Sequence, residues 1–495
     1  MTPSETRFLF VVPPWNMHSG NVWRRVGGII PPVGMATLAA VLERDGAAQV
    51  EILDAQALGL DEDEVAEEVA RRQPHWVGIG ASTTVIKSAY AIARKIKQRL
   101  PTVKMVLGGP HPSVLPEEAL GFPEIDFVLA GEAETTLPRL VRGAPPEDVP
   151  GLAWRDADGL IRCNPPPPLI DDLDTLPPPA FDKLPLDRYR PSLGNYQHLP
   201  SLGITMTRGC YGQCTFCSRS LFGTRVRSFS TGRILSLVED LRDRYHIREI
   251  QFYDDIFLGT KRRIQEFCEA MIARKVGVSW ACFMRAELTD EATARLMRKA
   301  GCYLVDFGIE SGDEEILQTM NKRVQLQRTL DAAMTFRGAG VQLKCGFLFG
   351  YPGETRASLL RTIDLAVRLA PDVAVFNLAT PYPGTEMMRE CEEAGLLLSR
   401  DWDDYDQAHA LIALPDLSPD ELVGLYNQAY RRFYLRPATL VRWARGMRSW
   451  DQATMMVQAF ASMVSFLFLD RSPLRRARAA TGPVFERARS RCSRR

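Results

Sequence analysis

The residues best suited to chemistry in this 495-residue chain are three cysteines in one short run, Cys210, Cys214 and Cys217. They stand in the stretch Thr-Arg-Gly-Cys-Tyr-Gly-Gln-Cys-Thr-Phe-Cys-Ser, with the spacing C-x3-C-x2-C. Thiolates are strong ligands for iron. Three of them predict a 4Fe–4S cluster with one iron free of protein ligands. An open iron indicates chemistry at the metal rather than electron transfer alone.

The alternatives for these cysteines are a zinc site and three unrelated residues. Structural zinc takes four ligands, and the nearest further candidates, His198 and Cys163, lie upstream in loop-like sequence. The spacing, with Thr-Arg-Gly before it and Cys-x-Phe-Cys at its end, resembles the radical S-adenosylmethionine (SAM) superfamily. This resemblance implies that the open iron binds the amino and carboxylate groups of SAM. It also implies cleavage of SAM by one electron to methionine and a 5′-deoxyadenosyl radical.

Composition sets the broad class of the protein. The length suggests about three domains, and the 45% hydrophobic and 24% charged residues are ordinary for a globular chain. A net charge of +1 gives no field that favours nucleic acid. Ten cysteines in such a chain do not form a disulfide framework. The N-terminal apolar run stops at prolines, as a strand does and a signal peptide does not, so we expect a cytoplasmic protein.

The cysteines must be positioned by the elements around them, and two series of strands and helices are predicted. Short apolar strands separated by helices indicate parallel βαβ units. In residues 1–145 they predict a doubly wound, flavodoxin-like α/β domain. In residues 201–388 they predict a partial (β/α)6 barrel of the TIM type, with Cys210 following the first strand, at the end where barrels carry their chemistry. The first series comprises strands at 8–12, 50–53, 76–79, 105–107 and 127–129, and the second at 203–206, 249–253, 280–283, 303–307, 343–348 and 373–378.

The N-terminal domain resembles the cobalamin-binding domain that precedes many radical SAM barrels. Such domains carry D-x-H-x-x-G after the second strand, and this chain has Asp54-Ala-Gln56-Ala-Leu-Gly59 there. Because a neutral amide is a poor cobalt ligand, we expect cobalamin with no histidine beneath the metal. The alternative is a domain that binds nothing or only a partner. By the resemblance, the cobalamin contacts are Asp54, Gln56, Gly59, Ser82, Thr84, Gly108 and Gly109.

Polar residues end the other predicted barrel strands, and these stretches resemble the cobalamin-type radical SAM family across most of the barrel. SAM presents an amine, a carboxylate and a ribose, which call for acids, a cation and hydrogen-bond acceptors at one mouth. The resemblance puts Tyr253 to Asp255 near the SAM amine, Glu310 near the ribose or amine, and Arg285 near the carboxylate or Glu310. The alternative is that the acids and the arginine cap helices or pair with each other. The predicted SAM contacts are Tyr253, Asp254, Asp255, Arg285, Glu310, Ser311 and Asn377.

The rest of the chain is predicted to be a linker and a helical C-terminal region. Residues 146–200 are rich in proline, which stiffens extended segments. Residues 389–495 have a helical pattern, with an uncharged run at 452–469 and an arginine-rich tail at 471–495. The run is at the threshold length for a membrane span but carries five polar residues. Two alternatives are open, a core helix with a basic tail or peripheral contact with the inner membrane.

Together these features predict a cobalamin-dependent radical SAM enzyme that methylates an unactivated carbon of a small-molecule or lipid-like substrate. An electron donor such as flavodoxin or ferredoxin is implied. The first alternative is a non-methylating oxidation or ring closure, as in the anaerobic magnesium-protoporphyrin monomethyl ester cyclases, which share this architecture. From another class, the alternative is a SAM or cobalamin sensor without turnover. An intact cysteine triad argues against a sensor, which has no need of an oxygen-labile open iron.

Overall fold

A flavodoxin-like sheet forms the N-terminal unit of the computed structural model, which describes residues 5–15, 27–192 and 194–439 and isolated positions between 441 and 461. Its first five strands are parallel and lie in the order β2-β1-β3-β4-β5. This is the flavodoxin-like, doubly wound order, so the prediction is confirmed. The strands are β1 (Arg7–Val12), β2 (Gln49–Asp54), β3 (Trp76–Gly80), β4 (Lys104–Gly108) and β5 (Phe127–Leu129).

Helices cover both faces of this sheet. In β1, Phe8 and Phe10 pack into one apolar layer, while Leu9 and Val11 pack into the other. Burial on both faces is what a parallel sheet requires. The helices are α1 (Val33–Arg44), α2 (Ala55–Leu58), α3 (Glu62–Arg72), α4 (Ile86–Arg99), α5 (Pro110–Val114), α6 (Pro116–Leu120) and α7 (Leu137–Val141).

Two further strands, β6 (Leu152–Arg155) and β7 (Ile161–Cys163), lie in the segment predicted as a linker. They extend the sheet antiparallel to β5. The prolines of this segment lie outside both strands, because proline has no N–H to give to a ladder.

The barrel is a parallel sheet of six strands in consecutive order, each joined to the next by at least one helix. This is the predicted partial (β/α)6 barrel. Its strands are β8 (Ser201–Ile204), β11 (Glu249–Phe252), β12 (Ser279–Phe283), β13 (Cys302–Glu310), β14 (Gln342–Phe349) and β15 (Val373–Leu378). Its helices are α8 (Thr231–Tyr245), α9 (Lys261–Ala273), α10 (Glu291–Lys299), α11 (Glu314–Thr319), α12 (Leu326–Gly338) and α13 (Arg356–Leu369).

A short antiparallel hairpin of β9 (Thr207–Arg208) and β10 (Arg227–Ser228) follows the first barrel strand. The prediction that this strand runs to Met206 is wrong, since β8 ends at Ile204. The backbone N–H groups of Met206 and Thr207 donate instead to the Asp254 carboxylate. The hairpin encloses the cysteine triad.

The C-terminal region packs on both units. Helix α14 (Glu386–Glu393) is followed by α15 (Pro419–Tyr434), whose Tyr430 ring lies 5.1 Å from that of Phe376 on β15. Between these helices, the Trp402 indole donates to Glu118 of the N-terminal unit at 2.9 Å. Within the described residues, no helix combines the length and apolarity needed to cross a bilayer. Most of 452–469 and all of 471–495 lie outside those residues.

Candidate active site

The loop that carries the cysteine triad is held at its start by two aspartates from the end of β11. Asp254 Oδ1 accepts from the N–H groups of Met206 and Thr207, at 2.6 and 2.9 Å. Asp255 Oδ2 accepts from the N–H of Gly209 at 3.1 Å. Burial raises the pKa of Asp254 to about 7 and raises that of Asp255. Both acids therefore fix the backbone immediately before Cys210.

The middle of the loop is anchored at Thr215, between the second and third cysteines. Its N–H donates to the carbonyl of Met320 at 3.0 Å, and its carbonyl accepts from the N–H of Met387, also at 3.0 Å. Its hydroxyl lies 2.6 Å from the hydroxyl of Tyr351. These contacts come from the C-terminal end of α11, the loop after β14 and the helix Glu386–Glu393, so three separate segments position one loop.

The three thiols differ in their surroundings. Cys210 is half-buried, Cys214 is buried and Cys217 is exposed. A hydrogen bond with Cys217 lowers the pKa of Cys214, and the positive charges of Lys322 and Arg285 act in the same direction. The same bond raises the pKa of Cys217. Each thiolate of a 4Fe–4S cluster binds a different iron, so the sulfurs need not converge on one point, and among the described residues no three ligand side chains do.

Glu310 ends β13 at the mouth of the barrel in an unusual backbone conformation. Its φ of +67° lies in the left-handed region, which residues other than glycine rarely adopt. Its carboxylate pairs with the Lys322 ammonium at 2.6 Å. This pair lies over Gly308, where an added Cβ would be 2.8 Å from the lysine Nζ. Lys322 is a site residue that the sequence analysis did not single out.

Arg285 follows β12 and lies against the triad loop. Its Nε donates to Glu287 at 2.5 Å, and its guanidinium lies 5.5 Å from the centre of the Tyr211 ring. A Cβ added to Gly212 would be 2.8 Å from Nη1 of the arginine and 3.3 Å from Sγ of Cys210. Arg285 therefore lies against the loop that carries the cysteine triad. The ion-pair partner of Glu310 is Lys322 and not Arg285.

The other predicted SAM contacts divide between the barrel interior and the helix layer. The Tyr253 ring packs against Gly203 and lies 6.2 Å from that of Phe283, and burial raises the Tyr253 pKa. The Asn377 Oδ1 is buried and accepts no hydrogen bond within the described residues. The Ser311 hydroxyl instead lies 3.3 Å from that of Thr362 on α13. Ser311 therefore contacts a helix of the layer that surrounds the barrel strands.

A cavity of about 320 Å³ lies at the carboxyl ends of the N-terminal strands, where such sheets bind ligands. Of the predicted cobalamin contacts, Ser82, Gly108 and Gly109 line it. Thr84 lies beside it, with its hydroxyl 2.8 Å from that of Ser82. The walls of the cavity come from β1, β3, β4, β5, α1 and the hairpin of β9 and β10. We call this hairpin, residues 207–228, the triad hairpin because it carries the three cysteines. The cavity therefore lies between the two units.

The remaining predicted cobalamin contacts do not line this cavity. Asp54 accepts from the N–H of Ala57 at 2.9 Å and from the Tyr189 hydroxyl at 2.7 Å, and burial raises its pKa. Gln56 Oε1 accepts from the N–H of Trp15 at 2.6 Å. Gly59 ends α2 with a φ of +70°. These residues shape the turn after β2.

The residues present fit both cofactors. Three thiols on one anchored loop match the donor set of an open 4Fe–4S cluster. Among the glycines that border the cavity, Gly109 has no room for a side chain, since a Cβ there would be 2.9 Å from the backbone N and O of Ala81. Four buried charged residues that were not predicted as site residues lie beside the cavity, namely Glu132, Glu134, Arg208 and Arg227. The available signals were two acids within five residues of the end of β5 and the arginine two residues before Cys210.

Two family models match separate parts of the chain. Residues 22–141 match the B12 binding domain, and residues 204–366 match the radical SAM superfamily. The first match contains the cavity glycines, and the second contains the cysteine triad.

Two curated proteins are similar over most of the chain. An uncharacterized methyltransferase of Pyrococcus horikoshii is 34% identical over 443 residues, which are 88% of this chain and 94% of the relative. The anaerobic magnesium-protoporphyrin IX monomethyl ester cyclase of Rubrivivax gelatinosus is 28% identical over 451 residues, covering 88% of this chain and 78% of the cyclase.

Among solved structures, the fold is similar to that of OxsB, a cobalamin-dependent SAM radical enzyme determined with aqua-cobalamin and SAM bound. The TM-score is 0.72 at 17% identity, covering 94% of this chain and 72% of OxsB. An anchored cysteine triad beside a cobalamin-type cavity, on this fold and with these relatives, identifies the family. The chain is an enzyme of the cobalamin-binding radical SAM family, whose cofactors are a 4Fe–4S cluster, SAM and cobalamin.

Proposed function

We propose that this enzyme transfers a methyl group from SAM to an unactivated carbon of a small-molecule or lipid-like substrate. The observation that carries the proposal is the shared wall between the two cofactor sites. Arg208, Leu221 and Phe222 line the cobalamin cavity, and all three belong to the hairpin that holds the cysteine triad. A methyl carrier next to a radical generator suits methylation of a carbon that has no leaving group.

The bound cofactors supply the radical and the methyl carrier, while the chain binds, orients and shields the reactants. Asp254 and Asp255 hold the loop that carries the cysteines. Glu310 and Lys322 present one negative and one positive charge at the mouth, and Arg285 adds a second cation. We assign these groups to the ribose, amine and carboxylate of SAM, because charge-assisted hydrogen bonds give both affinity and orientation.

Asn377 is the residue we assign to a ligand inside the barrel. An unpartnered buried amide oxygen costs free energy unless a bound group satisfies it. Its Oδ1 accepts no bond within the described residues and lies on the last barrel strand. A donor on SAM or on the substrate would remove that cost.

A second candidate reaction is a radical oxidation or ring closure without methyl transfer. The similarity to the cyclase of Rubrivivax gelatinosus favours it, since that protein is 28% identical across 88% of this chain. The same cofactors and barrel mouth would serve either reaction. The difference is whether the methyl group of SAM is consumed.

The reaction also needs a source of single electrons, for which we propose a flavodoxin or ferredoxin. Cys217 is the exposed residue of the triad, so we propose that the electron donor docks on this side of the hairpin. We place the enzyme in the cytoplasm, because an open iron needs a reducing compartment. Peripheral contact with the inner membrane is the role we propose for the arginine-rich tail.

The test is a single-turnover assay without substrate. The protein is loaded anaerobically with iron, sulfide and cobalamin, reduced, and given SAM labelled in its methyl group. Methyl transfer predicts one equivalent of S-adenosylhomocysteine, with the label on protein-bound cobalamin. Accumulation of 5′-deoxyadenosine with unlabelled cobalamin would move the assignment to the cyclase-type reaction.

The matched controls are two cysteine variants. Cys217→Ala removes one ligand of the triad and should lower the amount of iron bound after reconstitution. Cys163→Ser alters a half-buried cysteine on β7, outside the triad, and should leave it unchanged. If the folded protein takes up no cobalamin, the proposed methyl transfer is wrong.

A further inference from the structure

Four charged side chains are buried together where the N-terminal sheet meets the barrel. Glu132 Oε1 accepts from Nη1 of Arg208 and from Nη1 of Arg227, each at 2.9 Å. Glu134 Oε1 accepts from Nη2 of Arg208 at 2.5 Å. No side chain of the four is more than 9% exposed. We call these four residues the interface ion network.

The network joins the edge of the cobalamin cavity to the triad hairpin. Glu132 and Glu134 follow β5 and line the cavity. Arg208 lies on β9, two residues before Cys210, and lines the same cavity. Arg227 lies opposite Arg208 on β10. A shift of the hairpin relative to the N-terminal sheet would therefore move a cavity wall and a cluster ligand together.

The segment around Ile170 is also hydrogen-bonded to the interface ion network. The N–H of Ile170 donates to Glu132 Oε2 at 2.7 Å, and its carbonyl accepts from Arg227 Nη1, also at 2.7 Å. Two acids and two arginines make the network neutral overall. Breaking one buried pair leaves an uncompensated buried charge, which is strongly unfavourable. The network is therefore rigid, although buried ion pairs in general add little net stability over apolar packing.

We propose that the four side chains of the interface ion network are positioning residues, which hold the triad hairpin in place as one wall of the cavity. The position of bound cobalamin is thereby tied to that of Cys210. This inference rests on the proposed function, because it assigns the cavity to cobalamin. It adds which buried side chains keep the hairpin wall of the cavity in position against the N-terminal sheet.

The first test is hydrogen exchange of the cluster-free full chain, with and without hydroxocobalamin. A cavity with the triad hairpin as one wall predicts that cobalamin slows exchange in the hairpin, residues 207–228, as well as at residues 78–82 and 106–110 of the sheet. Protection confined to the sheet would overturn the proposal. This measurement needs no variant and no turnover.

The second test measures the affinity of variants for hydroxocobalamin. Glu132→Gln and Glu134→Gln keep side-chain shape but leave an arginine charge unbalanced. We expect affinity to fall about tenfold, which corresponds to ~1.4 kcal/mol, together with loss of hairpin protection. The control is Asp171→Asn, which removes an ion pair with Arg225 that also joins this hairpin to the linker but is exposed on both sides. The affinity of the Asp171→Asn protein for hydroxocobalamin should not change.

The affinity test still decides the proposal if one of the two glutamine variants fails to fold. Glu132 has three partners, whereas Glu134 is bonded only to Arg208 among the hydrogen bonds that define the network, so Glu134→Gln is the milder change. A folded Glu134→Gln protein with unchanged affinity and hairpin protection would reduce the network to a structural role. A protein that shows the protected hairpin yet transfers no methyl group would overturn the proposed function alone.

Discussion

Substitution of Gly109 by alanine should loosen the cobalamin edge of the N-terminal sheet. This residue has φ +98° and ψ −176°, a region that only glycine adopts without strain. That conformation costs another residue about 1–3 kcal/mol. A Cβ there would also lie 2.9 Å from both the N and the O of Ala81, backbone atoms that cannot turn away. Overpacking of this kind adds about 1–3 kcal/mol.

The chain offers a matched control in the preceding residue. Gly108 lines the same cavity, but its φ is not positive, and its nearest new contact would be Leu129 O at 3.6 Å, an ordinary van der Waals distance. Gly108→Ala should therefore leave the strand edge in place. Any difference between the two variants reports backbone geometry rather than loss of a glycine from the cavity.

Hydrogen exchange of peptides spanning residues 104–116 measures the local effect, because sheet edges open with their own free energies. A loss of about 3 kcal/mol corresponds to exchange roughly 100-fold faster in Gly109→Ala. Exchange in Gly108→Ala should match the wild type. Equal acceleration in both variants, or none in Gly109→Ala, would refute the argument from φ and the Ala81 contact.

Three further predictions concern the barrel. Cys217→Ala should lower bound iron and remove the electron paramagnetic resonance signal of the reduced SAM-bound cluster, because a triad ligand is lost. Lys322→Met should weaken SAM binding about tenfold by leaving Glu310 without its cation, measured as a dissociation constant. Burial raises the pKa of Glu354 from 4.5 to about 8, so the folded state holds a proton that the unfolded state releases. Stability should therefore fall as pH rises from about 4.5 to 8, and Glu354→Gln should flatten that slope in urea unfolding.

Each of these has a result that would contradict it. Full iron content in Cys217→Ala would remove that thiol from the cluster. Unchanged SAM affinity in Lys322→Met would make its ion pair purely structural. A pH slope of unchanged size in Glu354→Gln would show that Glu354 does not contribute to it, since the other buried acids with raised pKa values, such as Asp254, keep their share of the slope in both proteins.

The sequence determined the fold to a large extent because the patterns that decide it are local. Apolar runs bounded by turn residues located the parallel strands, and the observed bounds of β5 and β15 equal the predicted ones. The cysteine spacing indicated the cluster, since all three ligands lie on one loop. Gly108 and Gly109, at the carboxyl end of β4, line the cavity, because the carboxyl edge of a sheet is set by where its strands end.

Only the tertiary structure decided how the two units meet. Arg208 and Glu132 are 76 residues apart, and Lys322 pairs with a carboxylate on another element. The local sequence does not distinguish such paired charges from solvated ones, because the tertiary packing determines which residues become their partners. The same holds for Asp254, which binds backbone N–H groups of the preceding loop, and for Ser311, which faces the helix layer. Local spacing therefore determined the cofactor motifs, and long-range burial determined which side chains hold them in place.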